Sequence, residues 1–176
     1  MPRRRLPSPL PALALGVGLA VLAFAPRSAR AMEGEWHTGA RVGFATLRGG
    51  SLGPALDVHG AYELSDLFDV VAQVQGSRHD GSSGTDALSA SLGLAYKIDV
   101  FQWIPYVSAL GGYYHYAGPL KREDDRAGAS VHTGLDYLVV RELSVGFDLG
   151  FHVPIGDPPR SVQYAALLGA EYRFGW

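Results

Sequence analysis

Residues 143–153 read Leu-Ser-Val-Gly-Phe-Asp-Leu-Gly-Phe-His-Val. Leu143, Val145, Phe147, Leu149, Phe151 and Val153 share one phase, with Ser144, Gly146, Asp148, Gly150 and His152 between them. Side chains of a strand point alternately to its two sides, so a period of two gathers the bulky apolar groups on one face. The end of the chain repeats the pattern, with Tyr164, Ala166, Leu168, Ala170, Tyr172, Phe174 and Trp176 in phase. Working outward from these two runs, turn residues separate further alternating stretches. The reading is eight strands, near 35–47, 54–64, 67–78, 86–98, 105–117, 128–139, 143–153 and 162–176. The third and fifth are the least regular, because Val71 and Tyr113 would point with the polar set.

Alternation does not say which face is inside. A soluble sandwich or barrel buries the bulky face and exposes charge; a membrane barrel turns its apolar face to lipid. The non-apolar phase here carries Gly39, Gly43, Ala45, Ser89, Ser91, Gly93, Ala95, Gly134, Gly146, Gly150 and Gly169. Such small residues suit the narrow lumen of an eight-stranded barrel better than a solvated surface. The expected connections are 48–53, 65–66, 79–85, 99–104, 118–127, 140–142 and 154–161, alternating long and short apart from 99–104. With the amino end in the periplasm, the first, third, fifth and seventh become outer loops.

Aromatics sort by strand end. Trp36, Tyr62, Phe68, Tyr96, Trp103, Tyr106, Tyr137, Tyr172, Phe174 and Trp176 fall at the expected periplasmic ends, and Phe44, Tyr114, Tyr116, Phe151 and Tyr164 at the outer ones. Two girdles around an aliphatic band match the two interfaces of a bilayer. Unpaired strand edges cannot be satisfied in hydrocarbon, so the eighth strand must close on the first. The fold expected is an all-β, eight-stranded antiparallel transmembrane up-and-down barrel over residues 32–176.

Residues 1–31 differ from the rest. Arg3, Arg4 and Arg5 precede an apolar run from Leu10 to Ala25, and Ala29-Arg30-Ala31 closes the segment. This is the form of a secretory signal peptide, and the run is short for a membrane-spanning helix. Cleavage is expected between Ala31 and Met32, with Ala25 as a secondary site. Removing the leader takes five arginines and no acid, leaving ten basic against 17 acidic side chains, a net charge of −7. An acidic exported chain argues against nucleic acid as a partner. The full chain has 176 residues and no cysteine, which excludes disulfides, a thiol nucleophile and cysteine-based zinc sites.

The leader, the strand count and the ending Tyr172-Arg173-Phe174-Gly175-Trp176 resemble the small eight-stranded outer-membrane barrels of Gram-negative bacteria, the OmpX and OmpA transmembrane-domain type. The resemblance spans residues 32–176. It implies residence in the outer membrane among its lipids and lipopolysaccharide, with the barrel-assembly machinery reading Tyr172, Phe174 and Trp176 as the assembly signal. In that class the last residue is more usually phenylalanine. The likeness is one of architecture, and fold alone does not give function.

The inward phase carries Arg41, Asp57, Glu63, Asp69, Lys97, Asp136, Asp148, Glu171 and Arg173. Because the first and eighth strands adjoin, Arg41 and Glu171 are expected to pair. Such charge can plug a filled lumen or gate a narrow pore, and eight strands favour the plug. His37, His59, His115, His132 and His152 fall on the same phase. His59, His115, His132 and His152, with Asp148, are the candidates for a zinc or copper site, although no local His-x-x-x-His spacing accompanies them. Satisfied lumen histidines are the plainer account.

Some barrels of this size modify lipid A, and His79, Asp80, Ser82 and Ser83 place the required residue types in one loop. No nucleophile elbow, phosphate loop or zinc-protease motif supports catalysis. The mixed-charge run Lys121–Arg126 is expected at the tip of the third outer loop. The function expected is structural and envelope-maintaining, as a monomer, with no catalytic residue and no cofactor. A narrow pore for small solutes or ions is the first alternative, and lipid A modification the second.

Overall fold

A computed structural model describes residues 34–47, 51–79, 84–98, 102–118, 121–156 and 162–175. Eight strands follow in order: β1 (Trp36–Leu47), β2 (Ser51–Ser65), β3 (Phe68–His79), β4 (Thr85–Lys97), β5 (Trp103–Gly118), β6 (Lys121–Val140), β7 (Leu143–Pro154) and β8 (Gln163–Phe174). Each pairs antiparallel with its neighbour in sequence, and β1 pairs with β8 from Trp36↔Phe174 to Leu47↔Gln163. The sheet is a closed barrel and has no edge. The leader expected over residues 1–31, its cleavage at Ala31 and Met32, and Trp176 lie outside the described residues.

The apolar phase faces out. Leu149 is 48% exposed, and Val42, Leu56, Leu92, Val131, Phe147 and Leu168 stand beside it on the outer wall. At the end that carries the termini, aromatic pairs bridge neighbouring strands: Trp36 with Tyr62, Phe68 with Tyr96, and Trp103 with Tyr137, at ring separations of 4.8, 5.4 and 4.7 Å. Phe151 and Tyr164 meet at 5.1 Å toward the far end. An aliphatic belt between aromatic rings is the outer surface that a bilayer selects.

The β5–β6 hairpin departs from expectation. The mixed-charge run does not form a long loop: β6 begins at Lys121 and only residues 119 and 120 separate it from β5. Twenty residues of strand exceed the 9–11 needed to cross a bilayer, so this hairpin projects beyond the belt.

The facing of β5 is also the reverse of that expected. Tyr114 is 1% exposed and Tyr113 50%. Tyr106, Tyr114 and Tyr116 therefore point into the lumen and leave the girdles, while Tyr113 and His115 point out. Cross-strand space decides this. Tyr106 lies opposite Gly134 on β6, and any Cβ at that glycine would collide with the tyrosine ring. In the same way His59 fills the room left by Gly39, where a Cβ would come within 2.6 Å of the imidazole. The small residues of the inward face are recesses for the large ones, which is how eight strands close around a filled interior.

Candidate functional site

The lumen is a polar core. Asp57, His59, Asp69, Gln73, Gln75, Lys97, Ser130, His132, Asp148, His152 and Arg173 are all buried there. Buried charge persists only when paired, and the inward phases of the strands supply the partners.

Near the termini, Lys97 of β4 lies 3.0 Å from Asp69 of β3 and 3.2 Å from Glu63 of β2. At mid-lumen, Arg41 of β1 reaches Asp57 of β2 at 3.5 Å. Asp57 also meets Nδ1 of His59 at 3.0 Å, and Nε2 of His59 meets Glu171 of β8 at 3.2 Å. Glu171 further approaches His37 at 3.3 Å and Arg173 at 3.5 Å. Both ring nitrogens of His59 therefore face carboxylates.

The expected direct pair of Arg41 with Glu171 is thus replaced by a chain through Asp57 and His59. Register explains it: Asp57 is the direct cross-strand partner of Arg41, whereas Arg41 lies opposite Gly169 on β8, two residues from Glu171. Directly opposed side chains meet more closely than diagonal ones.

Farther along, the guanidinium of Arg41 stands over the ring of Tyr106 at 5.7 Å. Tyr106 donates to Asp148 at 2.8 Å, Asp148 meets Nδ1 of His132 at 3.0 Å, and Nε2 of His132 meets the hydroxyl of Ser130 at 3.1 Å. The rings of His132 and His152 pack edge-on at 5.0 Å, and the hydroxyl of Tyr114 lies 3.3 Å from His152. Toward the far end, Gln163 donates to Ser77, whose hydroxyl is 3.0 Å from His79. Linked polar contacts therefore run from Glu171 to Ser130.

Among Arg41, His59, Asp69, Lys97, Tyr106 and Asp136 there remains a cavity of about 50 Å³. Since one water needs roughly 10–15 Å³ of such space, this cavity holds a few waters.

The five metal candidates do not converge. His115 faces outward on the projecting hairpin, with Nδ1 2.7 Å from Asp125. Hydrogen bonds from Tyr113 and His115 hold that carboxyl below its usual range. His59 is engaged by Asp57 and Glu171. His132, His152 and Asp148 are neighbours, but among the described residues no three of the five bring ligand atoms together. Of the loop residues considered for lipid A modification, His79 is a buried lumen residue of β3, and Asp80, Ser82 and Ser83 lie outside the described residues. Tyr106 reads in the sequence as a girdle aromatic rather than a lumen residue, and Ser130 and Gln163 were not singled out by it. Their partners sit 42, 2 and 86 positions away, so only the pairing register reveals most of them.

Of the residues expected to form an assembly signal, Tyr172 and Phe174 stack at 6.2 Å on the outer face of β8. No family model matches the sequence, and no curated protein does. Solved structures do. Neisserial surface protein A superposes with a TM-score of 0.65 at 15% identity, over 80% of this chain and 97% of that one. The outer membrane protein OprG from Pseudomonas aeruginosa gives 0.59 at 13% identity, over 82% and 97%. Ail, the attachment invasion locus protein of Yersinia pestis, gives 0.55 at 16% identity, over 81% and 100%. With its closed register, outward apolar belt and polar interior, the chain has the fold of the small eight-stranded outer-membrane β-barrels.

Proposed function

We propose that the protein resides in the outer membrane as a plugged, envelope-maintaining barrel. The observation that carries this reading is the linked polar lumen, in which the cavity beside Arg41 and Tyr106 measures about 50 Å³. The belt faces membrane lipid, the termini lie on the periplasmic side, and the β5–β6 hairpin stands out from the lipopolysaccharide leaflet. The barrel acts as a monomer that the assembly machinery inserts through its final strand, without a nucleic-acid partner.

Ser130, His132 and Asp148 follow one another in hydrogen-bonded order, as the groups of an acyl-transfer site do. Ser130 is only 2% exposed and turned into the lumen, out of reach of a lipid outside the wall. The trio serves to satisfy buried polar atoms, and catalysis forms no part of the proposal.

Deleting the gene and challenging the cells with detergent and with large hydrophilic antibiotics tests the role. Increased sensitivity, restored equally by the wild type and by Ser130→Ala, is expected. Unchanged sensitivity would overturn the envelope-maintaining reading.

A further inference from the structure

We propose that the periplasmic mouth of the barrel holds a zinc ion between Glu35, His37 and Glu63. One ligand atom from each lies within 4.8 Å of the others. The decisive group is His37. It is 3% exposed, its Nε2 is buried and makes no hydrogen bond, and that nitrogen is 3.9 Å from Glu35. An imidazole nitrogen left bare beside two carboxylates lacks the partner that burial normally demands. A divalent cation supplies it.

The rest of the ring is already set for ligation. Nδ1 of His37 lies 3.3 Å from Glu171, so the ring turns one nitrogen toward that carboxylate and presents Nε2 to Glu35 and Glu63. Metal-bound histidines characteristically give their other nitrogen to a carboxylate in this way. The frame is firm as well: the backbone N–H of Glu63 donates to the carbonyl of Glu35 at 3.0 Å, and Trp36 packs on Tyr62 between the two acids.

A tetrahedral zinc ion with bonds of about 2.1 Å draws its ligands to roughly 3.4 Å of one another. The Glu35 and Glu63 carboxylates, 28% and 20% exposed, have room to turn toward the ion. Lys97 now contacts both Glu63 and Asp69, and it keeps Asp69 at 3.0 Å when Glu63 turns to the ion. One nitrogen and two oxygens suit zinc better than calcium or magnesium, which take oxygen ligands. Three protein ligands leave the fourth position to water from the periplasm.

The test uses the barrel purified from membranes in detergent and stripped with a chelator. Zinc chloride is titrated calorimetrically, and cobalt(II) chloride is added separately to read the visible spectrum of the coordinated ion. One equivalent of zinc is expected, with a tetrahedral cobalt spectrum and no response to calcium. Glu35→Gln, which lies ahead of β1 and leaves the barrel intact, and His37→Ala should each weaken binding at least tenfold. His132→Ala and His115→Ala should bind as the wild type does. Absence of saturable binding would overturn the proposal, as would binding that survives Glu35→Gln and is lost in His132→Ala or His115→Ala.

Discussion

Tyr106 of β5 donates its hydroxyl hydrogen to Asp148 of β7 at 2.8 Å, reaching over β6 at the point where Gly134 leaves its path clear. One tyrosine thereby ties three strands, and it does so only because the strand between them carries no side chain there. Gly134→Ala must displace both the ring and the backbone carbonyl of Phe147 and should cost at least about 1–3 kcal/mol, the usual penalty of overpacking. Gly111, which faces out and has nothing within 4 Å of an added Cβ, should accept alanine without loss. Denaturant unfolding of both variants in lipid vesicles compares them directly.

Asp57 is fully buried and shared by Arg41 and His59. Removing one member of a buried ion pair leaves its partner uncompensated, so Asp57→Ala should cost about 3–5 kcal/mol. The paired change Asp57→Ala with Arg41→Met should recover part of that loss. A double-mutant cycle on folded barrels measures it, and additive costs would show that the two side chains act independently.

Leu149 sits mid-strand on the outer belt. Arginine there should cost about 2–4 kcal/mol in a bilayer, while alanine, which keeps the surface apolar, should cost far less. On the opposite face Gly150→Ser should also be destabilising, since a Cβ at Gly150 would come within 3.0 Å of both His132 and His152. Equal stability of Leu149→Arg and Leu149→Ala in vesicles would mean that this face does not meet lipid.

Ser130→Ala should leave the lipid A of expressing cells unchanged in a mass spectrum. Its expected effect is on stability, about 1 kcal/mol for the hydrogen bond that His132 loses. A lipid A species that disappears with Ser130 would make the buried trio a catalytic one.

Strand positions were legible in the sequence because alternation is local: the outer wall takes bulky apolar residues and the narrow lumen takes small and polar ones. β7 alternates without exception and β8 does so apart from Ala165 and Leu167 on its inward phase, and their observed limits fall within two residues of those read. β5 was not legible in the same way. Its sequence Trp-Ile-Pro-Tyr-Val-Ser-Ala-Leu-Gly-Gly-Tyr-Tyr-His-Tyr puts aromatics on both phases, so periodicity supports either facing. What settles it is the space opposite, where Gly134 and Gly128 receive Tyr106 and Tyr114. That information lies on another strand. The partner of Arg41 was hidden for a similar reason: strand adjacency placed Glu171 near it, but register placed Asp57 directly across.

Single-channel recording tests the plugged lumen most directly. The purified barrel is inserted in a planar bilayer, with insertion verified by protease protection, and a potential is applied. The polar chain from Glu171 to Ser130 predicts silence from inserted protein. Discrete, reproducible openings would contradict it and make the protein a narrow pore, with Arg41, Asp57 and Glu171 lining the gate.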